Sequence, residues 1–223
     1  MMARTQTEFQ ESLDAEFAWR RKELSAIRAS LGSETEIERG SPLLRAGTAL
    51  LYAHWEGFVK FASDAYVEYV GHRRLQYNDL DNGFLALALR KKLDAFASSE
   101  NASNHIEFIE FLMGDLRSHA KLPKLGVIKV GHNLNSMRLK VIFRTIGLDY
   151  STFELKENLI DNQLLGWRNE IAHGQRFCPK LDEFETLYQE TTGMLRNFKD
   201  QVSNAISMQA YRRKPGNSPK TKP

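Results

Sequence analysis

The sequence predicts an all-α fold, with helices packed around one hydrophobic core, an irregular stretch at 118–134 and a disordered basic tail. Three observations predict it. Apolar residues recur at gaps of three and four through most of the chain, which is the spacing of one face of a helix. Helix punctuation stands at the ends of those runs: Ser41-Pro42 before one, Asn133 to Ser136 before another, Gly147 and Gly174 after two more. Finally, 223 residues with 42% hydrophobic and 26% charged side chains make an ordinary globular composition, long enough to bury a core.

Residues 6–31 place Phe9, Leu13, Phe17, Leu24, Ile27 and Leu31 on one stripe, a long amphipathic helix ended near Gly32-Ser33. The polar segment 33–42 is a connection, with Ser41 as N-cap and Pro42 at the first helical position. Residues 43–71 hold Tyr52, Trp55, Phe58, Phe61, Tyr66 and Tyr69, a helix buried on more than one side and interrupted by His54 and Glu56. After a polar connection at 72–82, shorter helices are expected over 83–97 and 104–117, broken by Asn101 to Asn104. Residues 118–134 are the least helical, and Val127 to Val130 suit a short strand or an extended loop. Lys121, Lys124, Lys129 and His132 make that stretch basic, either as a solvated loop or as a contact for a phosphate backbone. Asn133 to Ser136 then cap a helix stopped by Gly147, and 149–158 form a polar bridge. A helix over 158–173 and a last one over 181–209 complete the chain. The expected organisation is 1–42 as N-terminal helix and linker, 43–210 as the bundle and 211–223 as the tail.

Charge and motifs exclude several classes. The formal charge is +3, but positions 212–223 carry five bases and no acid, which leaves the body at −2. A nucleic acid would therefore need a local cleft rather than a global field. No apolar run approaches the roughly 20 residues that cross a bilayer, and the N-terminus lacks the apolar core of a signal peptide, so a cytoplasmic protein is expected. Cys178 is the single cysteine, more suited to apolar filling than to chemistry. The six histidines, at 54, 72, 105, 119, 132 and 173, lack metal-ligand spacing, and there is neither a Gly-rich phosphate loop nor a Gly-x-Ser-x-Gly elbow. No metal or cofactor is expected.

Chemistry concentrates at 167–174, Trp-Arg-Asn-Glu-Ile-Ala-His-Gly. Ile160, Leu164, Trp167 and Ile171 form an apolar stripe, while Asn169 and His173 stand one turn apart on another side with Arg168 at its shoulder. One reading makes His173 a C-terminal residue that favours the helix macrodipole and Arg168 a surface ion-pair former. The other makes them a site.

Arg168, Asn169 and His173, ending in His-Gly after an apolar helix, resemble the Arg-x4–6-His signature of the HEPN superfamily of all-helical ribonucleases and RNA-binding relatives. The run from Leu44 to Phe58 resembles the first core helix of the RiboL-PSP-HEPN branch. This resemblance implies a HEPN-like helical bundle and a metal-independent endoribonuclease, a toxin or phage-defence effector acting on an RNA substrate. It implies a composite site across a homodimer, with an antitoxin or sensor protein as a further partner. His173 would be general acid/base, Arg168 the phosphate clamp, Asn169 an orienting residue, and Glu56 rather than His54 the acidic companion. A non-catalytic HEPN module that binds RNA, nucleotide or protein is the alternative. Some HEPN toxins carry a modified Tyr two residues beyond the motif His; here that position is Gln175, which argues against that regulation.

Overall fold

A computed structural model describes residues 4–32, 41–98, 100–123 and 133–214. Eight α-helices and no strands occur among them, so the fold is all-α. Three long helices set the frame: α1 (Gln6–Gly32), α2 (Pro42–His72) and α8 (Leu181–Ser207). In α2, Trp55, Phe58, Val59, Ala62, Tyr66 and Val67 are fully buried although they cover about half of its circumference at 100° per residue. That is possible because α1, α8 and the motif helix all pack on it. Phe58 sits between Phe17 of α1 and Phe198 of α8, with ring centroids 5.7 and 6.4 Å away.

The stripe of α1 is buried where the periodicity puts it, at Phe9, Leu13, Phe17, Leu24 and Leu31. Five such side chains bury on the order of 10 kcal/mol of apolar transfer free energy before chain entropy is subtracted. The first helix is therefore held by the same core as α2 and α8.

The connection after α2 carries a 3₁₀ turn, Tyr77–Asp79. Helices α3 (Asn82–Ser98) and α4 (Ala102–Gly114) then form a hairpin around a small separate cluster of Tyr77, Leu89 and Phe111. Asn101 caps α4 through its side chain. Gly83 lets α3 start against α5 (Ser136–Thr145), since a Cβ there would come within 2.2 Å of the Thr145 carbonyl oxygen. Asn135 caps α5, and Gly147 ends its turn at φ +69.

Three local expectations are corrected. The Ser41 hydroxyl does not cap α2; only Pro42 serves as a start signal, and the Ser41 carbonyl accepts the Arg45 amide. The bridge 149–158 contains a short helix, α6 (Ser151–Glu154), because buried Phe153 stacks on Trp55 at 6.1 Å. The motif helix is not uniform: a π-helical segment, Leu159–Leu165, precedes α7 (Gly166–Ala172). Of the stretch 118–134, the described parts are non-helical, with His119 in an isolated bridge to Gln76. The expected short strand or extended loop Val127 to Val130, with Lys124, Lys129 and His132, lies outside the described residues, as do the linker 33–40 and the tail beyond 214.

Candidate functional site

The π segment is wider per turn than an α-helix, so it shifts the phase of α7 relative to the residues before it. Ile160, Leu164 and also Leu165 are buried before it ends, while Trp167 and Ile171 remain only partly buried. Within it, Asp161 accepts both the Ser136 amide at 2.7 Å and the Ser136 hydroxyl at 2.6 Å, which ties the segment to the start of α5.

Arg168 comes off α7 onto α2. Its guanidinium lies 4.0 Å from the Tyr52 ring centroid and donates to Asn133 Oδ1 at 2.8 Å. A planar fork stacked on an aromatic face keeps its remaining donors oriented. The Tyr52 hydroxyl accepts the buried Leu134 amide at 2.6 Å, so one side chain supports both Arg168 and the segment carrying Asn133. Burial pushes the Tyr52 hydroxyl above its ordinary value.

Glu56, one turn along α2 from Tyr52, is an acidic group whose charge acts on both Tyr52 and Arg168. Burial raises its carboxyl, and the Tyr52 hydroxyl and the Arg168 charge oppose that shift. Its Oε1 is buried and has no hydrogen-bond partner among the described residues. His54, two residues away and so on another face of α2, turns instead to α1. There its Nδ1 lies 3.3 Å from the Arg20 guanidinium, its Nε2 lies 2.8 Å from the Glu23 carboxylate, and it meets the Trp19 ring edge-on.

His173 is the C-cap of α7, and its side chain is exposed. Gly174 follows at φ +73, and the Gln175 amide returns to the Glu170 carbonyl, closing the helix in the left-handed manner that glycine permits. Arg45 pins the loop beyond it by donating to the carbonyls of Gln175 and Phe177, both at 2.6 Å. The Asn169 and His173 side chains form no hydrogen bond among the described residues, and Asn169 is partly buried. The corner is thus open, with a braced guanidinium, an amide and an exposed imidazole along one short helix.

Lys121 is placed elsewhere. Its amide meets the Tyr77 hydroxyl at 3.4 Å, and its neighbour Leu122 packs against Gly71. Gly71 is 15 residues from Glu56 along α2, about 22 Å at 1.5 Å per residue, so Lys121 and the Arg168 corner are not brought together within one chain. Tyr52, Asn133 and Arg45 are the residues that sequence reasoning missed. The only hint was the place of Asn133 at the head of the capping run Asn133 to Ser136. No group of three His, Cys, Asp or Glu side chains among the described residues is placed to hold a metal ion.

The HEPN_MAE_28990-like HEPN family matches residues 9–211, most of the chain. The chain belongs to this HEPN family. Its match begins inside α1 and ends just past α8, so it covers the braced Arg168 and the exposed His173 of this HEPN chain together with the helices that carry them. Searches among curated proteins and among solved structures returned no match. Among the described residues of the HEPN chain, no helix is long and apolar enough to cross a membrane.

Proposed function

We propose that this HEPN chain is an endoribonuclease that needs no metal ion and works as a two-fold dimer, with two α7 ends facing one ribose-phosphate link. The observation that carries this reading is the contrast within α7. Arg168 is held by Tyr52 and Asn133, while His173, at the end of the same short helix, is exposed and uncommitted. One exposed imidazole at this corner of each chain is half of an acid–base pair, and an isologous dimer supplies the second from the same surface patch. One His173 takes the proton of the 2′-hydroxyl, whose oxygen attacks the adjacent phosphorus. The P–O5′ bond breaks, and the His173 of the second copy gives its proton to the leaving 5′-oxygen. The products end in a 2′,3′-cyclic phosphate and a 5′-hydroxyl. Arg168 meets the charge that builds on the phosphorane, Asn169 orients the imidazole or the phosphate, and Glu56 steadies the guanidinium from behind. Such an activity suits a toxin or defence effector restrained by an antitoxin or sensor protein.

The test is cleavage of structured RNA in EDTA by wild type, His173→Ala and Arg168→Ala, with light scattering of each. Both variants should lose about 10²–10⁴-fold in rate and remain dimeric. Cleavage equal to wild type in the His173 variant would end the proposal, as would a fully active monomer. A binding module without turnover is the second reading, supported by the share of Arg168 already committed to Tyr52 and Asn133. It predicts RNA binding that survives His173→Ala in a wild type that never cleaves.

A further inference from the structure

Charge in this chain is segregated more sharply than its net value shows. Between Asp115 and Asp149 there is no acidic residue, while Arg117, Lys121, Lys124, Lys129, Arg138, Lys140 and Arg144 contribute seven positive charges. With those seven and the five of the tail removed from +3, the rest of the chain is net −9. Among the described α-helices, α5 alone contains neither Asp nor Glu, and its charged side chains are all basic. At 100° per residue, its buried side chains, Ser136, Leu139, Ile142 and Phe143, fall on one arc. Arg138, Lys140 and Arg144 fall on the opposite arc with Met137 and Val141, and all five are exposed.

This face starts at the candidate site. Arg138 donates to the Asn133 carbonyl at 2.8 Å, and the side chain of the same Asn133 accepts Arg168 at 2.8 Å. Lys140 extends over the Tyr150 ring, 5.4 Å from its centroid. Asp161, an acid close to the helix start, is turned into it by its two bonds to Ser136. Arg138 and Arg144 are six residues apart, about 9 Å of helix, which is close to three nucleotide steps of a stacked strand at about 3.4 Å each. Met137 and Val141, 74% and 61% exposed, offer apolar surface between the cations for bases or riboses.

We propose that the exposed face of α5 is the track along which single-stranded RNA reaches the Arg168 corner, with Lys140 and Arg144 on backbone phosphates two to three nucleotides from the scissile link. The proposal rests on the ribonuclease reading for the identity of the polyanion, and its test separates the two. A fluorescent 12-nucleotide single-stranded RNA is titrated by anisotropy against full-length His173→Ala protein from 50 to 300 mM salt. The same titration is run with Lys140→Ala/Arg144→Ala added, and with Arg21→Ala/Lys22→Ala added on the exposed side of α1 as a charge-matched control. The α5 pair should weaken binding on the order of tenfold at 100 mM salt and flatten the slope of log affinity against log salt by about 1.4, or about 0.7 per lost phosphate contact. The α1 pair should change neither. Unchanged binding by the α5 variant, an equal loss in the α1 control, or binding of the matching DNA but not the RNA would each overturn the track. Cleavage by the protein with an intact His173 is scored separately. Loss of RNA binding in the α5 variant beside a wild type that never cleaves would keep the track and remove the nuclease.

Discussion

Tyr52 offers the sharpest test of how the Arg168 corner is built, because its ring and its hydroxyl have separable tasks. Tyr52→Phe keeps the surface 4.0 Å from the guanidinium and removes the acceptor of the Leu134 amide. A buried amide left unpaired costs about 1–3 kcal/mol, which in a chain of this size lowers the melting temperature by roughly 3–10 °C. Tyr52→Leu loses the same bond and also the stack, for which a cation over an aromatic face contributes about 0.5–2 kcal/mol. If Arg168 must be held in place to meet the phosphorane, that second loss appears as a drop of about 2–30-fold in the rate of RNA cleavage, at about 1.4 kcal/mol per decade. The assay is single-turnover cleavage of a labelled RNA by both variants at a temperature where both are folded by circular dichroism. Phe should cleave within about twofold of wild type and Leu well below it. Equal rates for the two variants would refute the idea that the ring positions Arg168.

The raised carboxyl of Glu56 has a defined sign. The folded protein holds its proton to higher pH than the unfolded chain does, so stability is lost as pH rises through the folded value above 4.5. Glu56→Gln should therefore melt higher than wild type at pH 7.5 and lose that advantage near pH 4.5, as scanning fluorimetry across the range would show. His54 runs the other way. Burial depresses it and Glu23 only partly offsets this, so its contribution is complete above 6.5 and is lost as pH falls; His54→Gln should flatten the decline in melting temperature between pH 7 and pH 5.5. Gly174→Ala forces a side chain to φ +73 in open space, which should cost about 1–2 kcal/mol by thermal unfolding. Because the strain sits one residue from His173, cleavage should fall by more than the unfolded fraction accounts for.

Much of the frame is legible because it is periodic. The stripe from Phe9 to Leu31 needs only the period of a helix to be read, and the glycines at 147 and 174 end helices where the pattern of flanking apolar residues stops. The site is legible only in part. Arg168, Asn169 and His173 share one segment, so their spacing is local information. The residues that hold Arg168 are not local: Asn133 is 35 positions away, and Tyr52 looks like one more core aromatic in a helix already crowded with them. The basic run led by Lys121 is subject to the same difference between sequence and space. Closeness in sequence among lysines says nothing about their distance from an arginine on another helix, and the only part of that run the structure describes is anchored near the far end of α2.

The π segment could not be read at all, and it links the clamp on α7 to the basic face of α5. Ile160 and Leu164 are spaced as an ordinary helix would space them, so nothing in Leu159–Leu165 announces a wider turn. It does make a tertiary contact. Asp161 reaches the amide and hydroxyl of Ser136, a charge-assisted pair of bonds of about 1.5–3 kcal/mol each, strong enough to hold a local departure from α geometry. The same bonds fix where α5 begins, and with it Asn133, three residues earlier, on which Arg168 and Arg138 both converge. One carboxylate thus ties the segment preceding the helix that presents His173 to the origin of the basic face of α5. A change at Asp161 should move both together, whereas independent construction of clamp and track would let one survive without the other.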